Sequence, residues 1–138
     1  MLSPKRVKFR KFQRGNKKGK AVAGSYVAFG EYGLKALGCG VVSAQQIEAC
    51  RVLVARKLKK GGKLWIRIFP DKSVTKHPQE SRMGKGKGDI DKWVAVIRRG
   101  RILFELGGIP ESLARTLFRQ IAYKISFKTK FVKRGHVS

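Results

Sequence analysis

The chain has 138 residues, 42% of them hydrophobic, which allows one domain with a single core and excludes a wholly disordered polypeptide. Its formal net charge is +25, from 33 Lys and Arg against 8 Asp and Glu, so compaction is opposed unless counter-charge comes from outside. Nucleic acid is the usual source of such counter-charge, whereas an anionic membrane asks for a basic amphipathic helix with large apolar residues on one face, which neither predicted helix supplies.

Residues 1–20 hold nine cations and no acid: Lys5, Arg6, Lys8, Arg10, Lys11, Arg14, Lys17, Lys18 and Lys20. A solvated tail is the plain alternative, but Phe9 and Phe12 stand among the cations and offer faces for base stacking, so an RNA-binding arm is expected. Transit peptides share this richness in basic residues. Pro4 and the glycines interrupt any amphipathic helix, however, and the run is read as mature protein with no cleavable targeting segment. Ser25 to Phe29 is strand-like, and Gly24, Gly30, Gly33, Gly38 and Gly40 punctuate the region with bends.

The first helix announces itself by a capping box, Ser43-x-x-Gln46, ahead of Ile47, Cys50, Val54 and Leu58, with Gly61-Gly62 as its stop. These four apolar positions form one stripe of a 3.6-residue period, which makes Cys50 a core residue rather than a nucleophile. The opposite face carries Arg51, Arg56, Lys57, Lys59 and Lys60. Such faces are usually just solvated, but few acids are present to balance this one, and Arg56, Lys59 and Lys60 are expected to meet phosphate. The segment KLWIRIF, Lys63 to Phe69, alternates Leu64, Ile66 and Ile68 against Trp65, Arg67 and Phe69, the pattern of a half-buried strand.

From Phe69 to Lys92 no apolar period is visible. The stretch reads as a working loop over 70–92 on a rigid base, with Arg82, Lys85 and Lys87 as donors among Gly84, Gly86 and Gly88. Two strands follow, WVAVIR from Trp93 and ILFEL from Ile102, joined across Arg99-Gly100-Arg101 in an expected hairpin whose exposed Arg99 and Arg101 are available to phosphate. A second helix, Pro110 to Lys124, sets Leu113, Leu117, Ile121 and Ile125 on one stripe, with Glu111 in its first turn where the dipole favours an acid. A last strand is expected over Ser126 to Val132, and Lys133 onward is a basic tail.

The fold class expected is therefore α+β: a two-layer α/β sandwich with a mixed, mostly antiparallel sheet and two helices packed on one face. A basic N-terminal extension (1–24) precedes the single globular domain (25–132), and a short basic tail (133–138) follows it.

Enzyme chemistry finds little purchase. The GKGKG stretch fails the P-loop pattern because Lys87 is followed by Gly88 and Asp89, and it fails GxGxxG because the position three after Gly86 is Asp89. Three positions without Cβ still let the backbone approach a sugar-phosphate surface closely. Asp89 and Asp91 are better read as partners of nearby lysines than as an acid/base pair. His77 and His136 lie in loop and tail without a nucleophile around them. Cys39 and Cys50 make neither a CxxC nor a disulfide framework. No catalytic residue, metal, cofactor or small-molecule substrate is expected, and no stretch approaches the length of a membrane-spanning helix.

The segments MLSPKRVKFRKFQRG, YVAFGEYGLKAL, QQIEACR, GGKLWIRIFPDKSVTKHP, SRMGKGKG, WVAVIRRGRILFELGGIPE and TKFV follow one another as in the bacterial and organellar family of large-subunit ribosomal protein sixteen. The chain resembles that family over nearly its whole length, departing at Ser73, where a proline is common, and at Cys39, where a basic residue is. The resemblance implies an α/β sandwich set in large-subunit rRNA near the aminoacyl-tRNA site, with neighbouring ribosomal proteins as further partners and a bacterial, mitochondrial or plastid ribosome as its location. It implies that Arg82, Met83, Gly84, Lys85, Gly86 and Lys87 form the loop that faces tRNA and the peptidyl-transferase region. By the same resemblance Lys5, Arg6, Lys8, Arg10 and Lys11 match the arm that lies in RNA. The rival reading, a free-standing RNA chaperone or packaging protein, would use the same charge, and a nuclease is a weaker third.

Overall fold

The capping box forms as the spacing requires. In the computed structural model, which describes residues 3, 24–58, 61–76 and 89–135, Ser43 Oγ accepts from the Gln46 N–H at 3.2 Å and Gln46 Oε1 accepts from the Ser43 N–H at 2.8 Å. Helix α1 runs Ala44–Lys57 behind this cap. Ile47, Cys50 and Val54 are fully buried along its inner stripe, and burying a side chain of this size stabilises the fold by about 1.5–3 kcal/mol. The helix stops when Leu58 turns extended, its N–H still bonded to the Val54 carbonyl at 2.9 Å.

Helix α2, Glu111–Ala122, begins after Pro110, whose carbonyl accepts from Ala114 at 3.1 Å. Its inner face is Ala114, Leu117, Phe118 and Ile121, all buried. Phe118 was not on the expected stripe; it widens the apolar face and meets Phe131 edge-on, with ring centroids 6.0 Å apart. The Gln46 side-chain amide donates to the Lys124 carbonyl at 3.0 Å and so ties the start of α1 to the end of α2.

Among the described residues seven strands accompany the helices: β1 (Tyr32–Ala36), β2 (Gly40–Ser43), β3 (Lys63–Ile66), β4 (Lys72–Lys76), β5 (Asp89–Ile97), β6 (Ile102–Gly107) and β7 (Thr129–Lys133). The α+β class with two helices is as expected, but the strands lie in two sheets, ordered β3-β6-β1-β7 and β2-β5-β4, and every pairing among the described residues is antiparallel. Helix α1 packs against β2 and β5, and α2 against β1 and β7. Strand β6 is buried at all six positions because it lies inside its sheet and both of its faces are covered.

Four local expectations are corrected. The β5 and β6 segments do not form a hairpin: Gly100, at φ +98°, turns the chain from one sheet into the other, and its N–H bonds to the Ala36 carbonyl at 2.8 Å. The glycine-rich region also runs as loop for less than 70–92, since β4 and the first half of β5 pair across it. Strand β4, KSVTK, carries one large apolar side chain and lies on a sheet edge, where a polar sequence is tolerated and leaves no alternating signal. Ser25 to Phe29 is an irregular strap, while the glycine-punctuated stretch after it contains β1 and β2. Lastly, β7 starts at Thr129 and includes Lys133, which ion-pairs with Glu111 at 2.6 Å instead of opening a tail.

Candidate nucleic-acid interface

The β4–β5 ladder carries the glycine-lysine stretch. Its register runs from Lys72 opposite Val94 to Lys76 opposite Asp89, with one irregularity between Val74 and Thr75. An antiparallel pair holds opposed Cα atoms about 5 Å apart, so both ends of segment 77–88 are fastened to one rung. The root of the ladder is immobilised by burial of Val94, Ala95 and Ile97. Arg82, Met83, Gly84, Lys85, Gly86 and Lys87 lie outside the described residues, as do His77, Lys59, Lys60, His136 and the arm cations Lys5, Arg6, Lys8, Arg10, Lys11, Arg14, Lys17 and Lys18.

Of the remaining predicted cations, Arg56 and the adjacent Lys57 are exposed on the last turn of α1, where the helix dipole also favours positive charge. They border an open cleft of about 710 Å³ lined also by Val52 and Leu53, by Gln120 of α2 and by Lys124 just beyond that helix. Arg99 is exposed at the turn between the sheets. Arg101 departs from expectation: it is half-buried, its guanidinium donates to the Arg67 carbonyl at 3.0 Å, and a Cβ on Gly24 would stand 2.8 Å from its Cζ. The glycine lets this arginine lie flat against the backbone.

The most heavily bonded side chain in the region was not anticipated. Glu105, in the middle of β6, is fully buried, and its carboxylate accepts from the N–H groups of Ala28 at 3.1 Å, Phe29 at 2.8 Å and Gly30 at 2.8 Å. Arg67 completes the set by pairing with Oε2, while its Nη1 also donates to the Tyr26 carbonyl at 3.3 Å. Burial pushes the Glu105 carboxyl upward, but the Gly30 N–H, the Arg67 guanidinium and the Phe29 and Ala28 N–H groups outweigh it and hold the group below the usual carboxylate range. The one signal for this in the sequence is an acid inside the apolar run ILFEL of a chain poor in acids.

The outcome is a strap, residues 24–31, stitched to β6 from end to end. The Gly24 carbonyl accepts from Ile102 at 2.8 Å and the Leu106 carbonyl accepts from Glu31 at 2.9 Å, with the Glu105 contacts between them. Gly30 is pressed so closely to β6 that a Cβ there would lie 2.6 Å from the Leu106 carbonyl oxygen. The strap thereby fixes the point from which residues 1–23 depart. Two aromatics on it, Tyr26 and Phe29, are left 69% and 59% exposed.

The described residues contain no group of three or more His, Cys, Asp or Glu able to hold a metal ion, and no helix long and apolar enough to cross a membrane. Burial pushes the Cys50 thiol up to about 11, only partly opposed by the Lys124 charge, which suits a core residue and not a thiolate nucleophile.

Comparison with known proteins gives one consistent result. The profile of the family described as ribosomal protein L16p/L10e matches residues 4–132. The chain is 61% identical over 137 residues to the large ribosomal subunit protein uL16 of Thermosipho melanesiensis, covering 99% of this chain and 96% of that protein. It is 58% identical over 135 residues to the protein of the same name from Leptospira biflexa, covering 98% of each.

Proposed function

The chain belongs to the ribosomal protein L16p/L10e family, and on that footing we propose that it binds large-subunit rRNA and supports aminoacyl-tRNA near the A site and peptidyl-transferase region. It is a structural constituent of the large ribosomal subunit and not an enzyme. The relatives compared above are bacterial, and we take its ribosome to be that of a bacterial cytoplasm.

In this reading the arm cations from Lys5 to Lys18, together with Arg56, Lys59, Lys60 and Arg99, neutralise rRNA phosphates. Such contacts position the protein, and recognition then rests on RNA shape. Arg101, half-buried and bonded to the Arg67 carbonyl, offers less of its charge to phosphate than exposed Arg99 does. Arg82 to Lys87 face tRNA. What supports this assignment is the β4–β5 register: Lys76 pairs with Asp89, so the segment containing RMGKGKG leaves and rejoins the fold on one rung of a ladder rooted in the core.

Co-sedimentation with large subunits through a high-salt wash tests the ribosomal assignment. A purely electrostatic RNA chaperone is lost steeply as salt rises, whereas a protein held by shape and many buried contacts stays bound. Loss of the chain in step with other loosely bound cationic proteins would favour the chaperone reading.

A further inference from the structure

Nothing in the family assignment explains why the strap is held so tightly only to leave two aromatic rings in solvent. Three N–H donors into a buried carboxylate, a guanidinium on the Tyr26 carbonyl and a glycine packed against β6 give residues 24–31 little freedom. Core packing does not account for the rings, since Tyr26 and Phe29 are among the most exposed large apolar residues described. Phe29 is also backed by charge: the Arg67 guanidinium carbon lies 5.0 Å from its ring centroid. Arg67 in turn lines an open cleft of about 590 Å³ together with Arg101 and the half-exposed Phe69.

From this we infer that the strap is a stacking platform, and that Phe29, with Tyr26 on the same strap, receives an unpaired nucleobase of the bound RNA. The inference rests on the RNA-binding reading above and names the ligand for one part of that surface. A rigidly presented ring already holds its ordering cost, so a base that stacks on it pays less in lost freedom. Base-on-aromatic stacking is how proteins commonly read RNA that is not duplex, and Phe29 stays 59% exposed with the Arg67 guanidinium already set against its ring. A protein partner fits less well, because the chain carries a net charge of +25 and Phe29 lies against the Arg67 guanidinium.

The full-length chain is titrated with a short oligouridine and with an RNA duplex of equal length. Phe29→Leu, which keeps apolar bulk and removes the π-face, is expected to weaken oligouridine binding about tenfold, equivalent to about 1.4 kcal/mol. Duplex affinity and the salt slope should stay unchanged, and Phe29→Trp should retain or strengthen single-strand binding. In reconstituted large subunits, p-benzoylphenylalanine at position 29 should cross-link to rRNA. Equal effects of Phe29→Leu on both RNAs, or a cross-link to protein alone, would overturn the platform. A wild-type chain that bound neither RNA would instead defeat the underlying RNA-binding reading, and this inference with it.

Discussion

Arg67, the residue after β3, and Glu105 of β6 form an ion pair, with the carboxylate wholly buried and the arginine side chain 17% exposed. The pair looks inward rather than toward any ligand: its carboxylate satisfies three strap N–H groups and its guanidinium reaches a fourth backbone group, the Tyr26 carbonyl. A chain with so few acids has placed one where it anchors the exit of its basic arm.

Removing the acid should therefore be expensive. Glu105→Gln leaves Arg67 without its counter-charge and weakens the acceptor for three donors, and breaking a buried pair from one side costs about 3–5 kcal/mol. The lower end applies here, because Arg67 retains some access to water. Denaturant unfolding of the full chain at moderate salt measures the loss. A change under about 1 kcal/mol would show that the pair behaves like an exposed one.

The same group gives stability a pH dependence of known sign. A carboxyl whose folded pKa is depressed contributes stability that is present above its unfolded value, about 4.3 for Glu, and lost as pH falls through the folded value. Acidification below about pH 4 should thus destabilise the wild type more than Glu105→Gln. Glu48 and Glu111 are lowered as well, by Arg51 and by Lys133 respectively, but both are surface pairs and leave only a small residual slope. Parallel stability curves for the two proteins across that range would contradict the assignment.

The cysteines should separate cleanly by alkylation of the native chain read by mass spectrometry. Cys39 is exposed and should label promptly, whereas Cys50 is buried on α1 with its thiol raised by burial and should label only on unfolding. Prompt double labelling would mean that α1 is loosely docked.

These comparisons also separate what is local in this fold from what is not. The cap at Ser43 and Gln46 and the α1 stripe were legible because every partner lies within a few turns of helix. The crossing at Gly100 was not, since Arg99-Gly100-Arg101 has the composition of a hairpin tip whether the next strand returns beside the last or enters another sheet. The strap's residues alternate like a strand, but the acceptor for their N–H groups is Glu105, 75 to 77 positions away. Arg101 looked like an outward cation for the same reason: Gly24 and the Arg67 carbonyl, which draw it inward, are distant in sequence. The stretch over 70–92 showed no apolar period, and the pairing of residues 72–76 with 89–94 was hidden there because β4 is a polar edge strand.

The central claim is that residues 82–87, in the segment between Lys76 and Asp89, serve tRNA while the body and arm serve assembly. It is tested most directly by the rate of aminoacyl-tRNA accommodation in ribosomes carrying Arg82→Ala with Lys85→Ala, measured at matched occupancy of the protein in the large subunit. The account predicts slowed accommodation, by about tenfold if roughly one charge-assisted contact's worth of free energy is lost, with incorporation largely intact. Unchanged accommodation, or a loss of incorporation that fully explains the slowing, would contradict it.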